Sequence, residues 1–400
     1  MRLKRNNSPF LIALTYLSFV SLGLPDGLNG VAWPSIRTYF HLPVDALGSL
    51  LVMFTAGYLI SSFSSGRALA HSGLGILLSL SCLATAVSLF GYALAPAWWV
   101  MVMLGVLSGL GAGAIDAGLN TFAASQFSAR MVNWLHACYG VGAATGPVIM
   151  TSVLASGRVW QSGYAIAAGW QLLLAICFAV TGRFWPKHLT GFYQGSKSRT
   201  PHKQTLKLPV MWISIGVFFL YTGIEAAAGA WSYTLFTQSR AVAMVTAGSW
   251  VSVYWMALTA GRLLAGIAVG FVQANRLVRV CVAGMALGAL LIWLNIGNTI
   301  SFLGLGLMGL SSAPVFPSLI VTTPSRLGFA HVSNGVGFQI ASAVLGQSLV
   351  PALIGVLAGK LGLEMIGPSL FLFAVILLAL VQLLTSASLM AKDNVIPDVA

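Results

Sequence analysis

Twelve stretches of about eighteen or more mainly apolar residues recur from one end of the chain to the other, and no water-soluble fold accommodates that pattern. At 1.5 Å rise per residue each is long enough, as a helix, to cross a hydrocarbon core of about 30 Å. The approximate spans are 10–34, 45–69, 74–95, 98–124, 130–155, 164–185, 208–236, 246–270, 277–297, 300–323, 332–358 and 366–390. Inside lipid every backbone N–H and C=O must find its partner within the protein, so spans of this length are read as helices. Composition agrees: 58% of the residues are hydrophobic and 7% charged, against roughly a quarter charged in soluble domains. The sequence therefore predicts an all-α membrane protein of twelve transmembrane helices.

A net charge of +13 invites a nucleic-acid reading until the basic residues are placed. With the N-terminus in the cytosol, 16 of the 20 Lys and Arg fall at inner helix ends, inner loops or inner termini, leaving Arg37, Arg158, Arg240 and Lys360 outside. That asymmetry is the positive-inside rule, so the charge predicts both termini in the cytosol and no nucleic-acid partner. The first span follows a basic start (Arg2, Lys4, Arg5) but is too long for a signal peptide and lacks a small-residue cleavage site. It is expected to stay in the mature chain. Cys82, Cys138, Cys177 and Cys281 all lie in spans without CxxC spacing, and are read as small apolar packers. No metal and no cofactor is predicted.

Residues 1–186 and 208–400 divide into two six-helix bundles, joined by a polar, basic linker over 187–207. The halves look related at an offset near 195–200: Gly23-Leu-Pro-Asp26…Gly30 faces Gly223-Ile-Glu225…Gly229. Ser65-Gly66-Arg67 faces Ala260-Gly261-Arg262, and Ser108-Gly109-Leu110 faces Met308-Gly309-Leu310. Duplicated halves with a site at their interface are the usual build of secondary transporters. Gly105, Gly109 and Gly113 form a small-residue ridge on the fourth span, which predicts close helix packing.

An ionisable side chain near the middle of a membrane helix costs at least about 2.5–3.5 kcal/mol on insertion scales, so it faces a cavity or a partner. Of the seven acids, Asp26, Asp116 and Glu225 fall inside spans. A carboxyl whose exposure to water changes can bind and release a proton near neutral pH, which makes these three the candidates for proton coupling. Asp26 lies between Pro25 and Gly27, where a helix break with freed carbonyls is expected. Asp116 and Asn120 share a face of the fourth span, and His136 on the fifth falls near the level of Asp116. Such a His–Asp pair can relay protons or simply neutralise itself. Candidates for binding solute are Asn29, Trp33, Asn120, Tyr139, Tyr221, Trp231, Trp255, Asn334 and Gln339, with Tyr254 and Gln347 further down the order. Aromatic faces and amide groups together suit a sugar. Arg67 and Arg262 sit towards inner helix ends, where snorkelling and gating are the two readings.

The stretches Gly23-Leu-Pro-Asp26-Gly-Leu-Asn-Gly-Val-Ala-Trp33-Pro, Gly109-Leu-Gly-Ala-Gly-Ala-Ile-Asp116-Ala-Gly-Leu-Asn120, Asn133-Trp-Leu-His136-Ala-Cys-Tyr139-Gly-Val-Gly-Ala-Ala-Thr-Gly146-Pro147 and Gly223-Ile-Glu225-Ala-Ala-Ala-Gly-Ala-Trp231 resemble the major facilitator superfamily. Within it they are similar to the fucose permease-like sugar:proton symporters. The resemblance implies two pseudo-symmetric six-helix bundles and assigns coupling or substrate handling to Asp26, Asp116 and Asn120. In the loop after the second span, Ala70 stands where the superfamily's pattern has an acid, which weakens gating through that loop.

The function implied is proton-coupled uptake of a small polar solute, such as a monosaccharide, by a monomer in the bacterial inner membrane. Its partners are the solute, protons and the lipid bilayer. Gly146-Pro147 is similar to a signature of drug:proton antiporters and keeps efflux as the alternative. A non-transporting receptor or an embedded enzyme is a remote alternative; the sequence lacks a His-Glu-x-x-His motif, which counts against the enzyme, and a P-loop, which counts against primary pumping.

Overall fold

A computed structural model describes residues 9–186, 200–268 and 273–393 of the chain. The helices are α1 (Pro9–Tyr39), α2 (Leu47–Ser72), α3 (Leu74–Leu94), α4 (Trp98–Gln126), α5 (Ala129–Ala155), α6 (Gln161–Thr181), the short α7 (His202–Leu206), α8 (Pro209–Thr234), α9 (Met244–Ala268), α10 (Ala274–Leu294), α11 (Asn298–Ser312), α12 (Val315–Val321), α13 (Thr323–Leu327), α14 (Val332–Leu361) and α15 (Ile366–Asp393). Among the described residues, eleven helical segments are long and apolar enough to cross a membrane. The eighth predicted span is α9, 25 residues long and interrupted by Thr246, Ser249, Ser252, Thr259 and Arg262. Residues 187–199 of the expected linker, and 269–270 of that span, lie outside the described residues.

The chain forms two compact units, Met1–Gly195 with Gly229–Met256, and Ser196–Ala228 with Ala257–Ala400. In the first, α2 packs along α4, α1 along α5, and α3 against both α4 and α6. Gly229–Met256 joins it through close contacts: a methyl on Gly30 would stand 2.7 Å from the Gly229 carbonyl oxygen, and Arg37 donates to Gln238 Oε1 at 3.1 Å. In the second, α10 packs against α11 and α15.

The expected break at Pro25-Asp26-Gly27 does not occur. α1 runs unbroken from Pro9 to Tyr39 through Pro25 and Pro34. Pro25 lacks the N–H that would reach the Ser21 carbonyl one turn back. The side chain of Gln171, on α6, replaces it by donating Nε2 to Ser21 O at 3.3 Å. Gly27 serves approach rather than flexibility: a methyl there would overlap the Ala143 carbonyl of α5. That carbonyl is the one whose helical donor Pro147 removes. Gly146 works in the opposite direction, because a methyl on it would lie 2.6 Å from Leu24 O and 2.7 Å from Leu28 N. The Gly146-Pro147 pair thus has a complete account as the seam between α1 and α5.

One span predicted as continuous is broken. The tenth, expected over 300–323, divides into α11 and α12 at Ala313-Pro314, where proline removes a backbone donor. The carbonyls that end α11 therefore need partners from elsewhere.

The glycine ridge on α4 lies against α2 as expected. A methyl on Gly109 would overlap the Phe54 carbonyl oxygen, and one on Gly113 would lie 2.5 Å from Tyr58 O. Backbone rather than a flexible side chain meets the intruding atom, so Gly109→Ala is expected to destabilise by about 3 kcal/mol, the upper end of the usual overpacking cost. The thermal unfolding midpoint in detergent would register it. An unchanged midpoint would mean that α2 and α4 are not so closely apposed.

Candidate functional site

The close approach of α2 to α4 brings Tyr58 onto Asp116. Its hydroxyl donates to Asp116 Oδ2 at 2.7 Å, while Asn120, one turn along α4, donates Nδ2 to Oδ1 at 2.9 Å. His136 of α5 is within electrostatic range of Asp116, and Tyr58 is within range of Asp26 as well. Asp26, Tyr58, Asp116 and His136, the last of them exposed, therefore form one ionisable cluster in the first unit. Asp26 is half-buried and accepts a hydrogen bond from the Tyr139 hydroxyl of α5. Three residues on, Asn29 Oδ1 accepts from the fully buried Tyr164 at 2.7 Å. The His136 ring is edge-on to Phe19.

In the second unit Glu225 is 7% exposed. Its Oε2 and, at 2.9 Å, the Ser312 carbonyl oxygen are both within hydrogen-bond reach of the Tyr221 hydroxyl, whose single proton serves one of the two acceptors at a time. Ser312 ends α11 at the proline break, so the break supplies the acceptor that orients Tyr221. Arg262 Nη2 lies 3.4 Å from Glu225 Oε1.

All three membrane acids thus receive a tyrosine hydroxyl. A phenol suits a proton-exchanging carboxyl because its O–H donates to the ionised form and its oxygen accepts from the protonated one. Asp116 combines this with a neutral amide and a nearby imidazole, whereas Glu225 has a full cation beside it. The first arrangement tolerates either charge state. The second favours the ion pair.

The other predicted residues scatter. Trp33 is fully buried against Trp98. Trp231 is fully buried, and Trp255 packs beside Tyr254 with its ring over Gly229. Arg67 and Gln347 are exposed. Asn334 and Gln339, candidates for binding solute, belong to a network of their own. Asn334 donates to Thr200 O at 2.9 Å and to Thr205 Oγ1 at 3.2 Å, while Gln339 donates to Ser214 at 2.7 Å and accepts from Thr323 at 3.0 Å. Ser214 precedes Glu225 by eleven residues on α8, about 16 Å along the axis. These amides tie α7 and α8 to the start of α14.

Tyr58, Tyr164, Gln171, Pro314 and His331 escaped the reading of the sequence. For His331, whose Nδ1 lies 3.0 Å from Thr205 Oγ1, a signal existed: His136-Ala-Cys-Tyr139-Gly140-Val-Gly142 recurs 195 residues later as His331-Val-Ser-Asn334-Gly335-Val-Gly337. Tyr139 and Asn334 are equivalent in that repeat. One holds an acid and the other holds the linker.

Comparison with known proteins agrees with this architecture. Bypass of stop codon protein 6 of Saccharomyces cerevisiae is 23% identical over 391 residues, covering 88% of this chain and 77% of the yeast protein. Protein TsgA of Salmonella typhimurium is 26% identical over 372 residues, covering 84% and 87%. Among solved structures, the nucleoside transporter NupG matches with a TM-score of 0.72 at 12% identity, covering 94% of this chain and 98% of that one. The D-xylose-proton symporter gives 0.72 at 15%, covering 92% and 96%. The Fucose:proton symporter FucP of E. coli gives 0.62 at 14%, covering 95% and 99%. These structures share the fold. The family described as Major Facilitator Superfamily matches residues 15–337, and the chain is a multi-pass membrane transporter that belongs to that superfamily.

Proposed function

We propose that the protein takes up a small polar solute, with a monosaccharide as the first candidate, by proton-coupled alternating access. Asp26 and Asp116 are the proton carriers in this reading and His136 is their relay. The observation that carries it is the Asp116 environment: a carboxyl on a membrane helix held by Tyr58 and Asn120, neither of which forces one charge state on it. Asn29, Asn120 and Tyr139, one turn or less from the two acids or hydrogen-bonded to them, are the groups that would meet the solute. The solved relatives named for xylose, fucose and nucleosides handle hydroxyl-rich solutes, which supports the class. The basic residues support an inner-membrane orientation with both termini in the cytosol.

Efflux of lipophilic compounds keeps less support, since Gly146 and Pro147 are explained by the α1–α5 seam. A site with hydrogen-bonding groups rejects an apolar ligand that leaves them unpaired. Calorimetry against sugars, polyols, nucleosides and lipophilic cations tests this directly. Binding confined to the cations would replace uptake with efflux. Tyr58→Phe removes one hydroxyl and little volume, and should slow proton-driven uptake by at least about tenfold, the lower end of the worth of a hydrogen bond to a charged group. Uptake at the wild-type rate would exclude Tyr58 from the coupling cluster.

A further inference from the structure

On the outside of the second unit, α10 and α15 enclose an open groove of about 700 Å³. It is polar at one end only. Arg276 and Arg279 stand one turn apart near the start of α10, and Gln382 faces them from the far end of the antiparallel α15. Val280, Ala283 and Leu378 line the continuation towards the middle of the helices. Ala283 lies seven residues beyond Arg276, about 10 Å deeper along the axis. Neither guanidinium has a carboxylate partner among the described residues. Around the groove Val280, Leu287, Leu372 and Val375 are 63%, 50%, 56% and 42% exposed. In a chain that spans a membrane, such a surface faces acyl chains.

Guanidinium groups bind phosphate through paired, directed hydrogen bonds. A groove with two free guanidiniums and an amide at the water boundary, running inward into an acyl-lined trough, has the polarity profile of a single phospholipid. We propose that the α10–α15 groove is a binding site for an anionic phospholipid, its phosphate on Arg276 and Arg279 and an acyl chain along Val280, Ala283 and Leu378. The net negative charge is required because a zwitterionic headgroup brings its own cation to the two arginines. Lys and Arg near an anionic membrane surface each favour association enough that two together give about a thirtyfold preference. The site is independent of the coupling cluster, which lies in the other unit.

The test is native mass spectrometry of the full chain released from nanodiscs of equal phosphatidylglycerol and phosphatidylcholine. The wild-type protein should retain phosphatidylglycerol with about thirtyfold preference, and Arg276→Gln/Arg279→Gln should bring that ratio close to one. Ala283→Trp keeps both charges and fills the trough, so it should also lose the lipid. It serves as the second variant if the double substitution fails to fold. Arg158→Gln removes an exposed arginine outside the groove and should change nothing. Equal retention in the double variant, equal retention of phosphatidylcholine, or displacement of the lipid by millimolar inorganic phosphate would overturn the assignment. The last result would mean a simple anion site.

Discussion

Asp116→Asn is expected to abolish accumulation of solute against a gradient while leaving exchange between equal concentrations in place. A proton crossing about 120 mV releases about 2.8 kcal/mol, which supports roughly a hundredfold solute gradient at one proton per solute. Asparagine has the shape of aspartate and still accepts from the Tyr58 hydroxyl, so the α2–α4 contact should survive. What it lacks is a site that gains and loses a proton. The accumulation ratio in proteoliposomes should therefore fall from as much as a hundredfold to about one, with counterflow retained. Full accumulation in this variant and also in Asp26→Asn would remove both residues from the coupling path.

The second large effect concerns stability. Arg262→Gln leaves Glu225 buried beside a neutral group, and removing one member of a buried pair costs about 3–5 kcal/mol. The Arg262 side chain is 23% exposed, and water screens part of that penalty, so about 2–3 kcal/mol is expected here. Glu225→Gln/Arg262→Gln should recover most of the loss, because no charge is then left unpaired. Thermal unfolding in detergent reads both variants. A double variant no more stable than Arg262→Gln would show that Glu225 does not depend on Arg262. The double variant should also retain proton-driven accumulation, unlike Asp116→Asn, if Glu225 is locked in its pair and carries no proton.

The fold was readable from the sequence because apolar length is a one-dimensional property: α1, α3 and α6 end within about five residues of the predicted spans. The three membrane acids were equally legible, since their rarity marks them. Their partners were not. Tyr58 reaches Asp116 because Gly109 and Gly113 let two backbones touch, and the ridge was visible while the residue opposite it was not. Pro25 and Pro314 illustrate the same limit. Both remove a donor, yet α1 continues because Gln171, 150 residues away, satisfies the freed carbonyl, whereas the tenth span breaks and gives Ser312 O to Tyr221. Asn334 and Gln339 were set among the solute-binding candidates by residue type alone, and their hydrogen bonds to Thr205 and Ser214, long-range in sequence, were not visible there.

A proton gradient is expected to drive inward movement of a polar solute through this chain. This is tested most directly by purified protein in liposomes with an imposed pH gradient, acid outside, and a panel of radiolabelled monosaccharides and nucleosides. At least one solute should rise inside well above its external concentration, and a protonophore should return it to equality. The Asp116→Asn protein should never exceed equality. Equilibration that ignores the pH gradient, a requirement for sodium, or transport restricted to lipophilic cations would contradict proton-driven uptake.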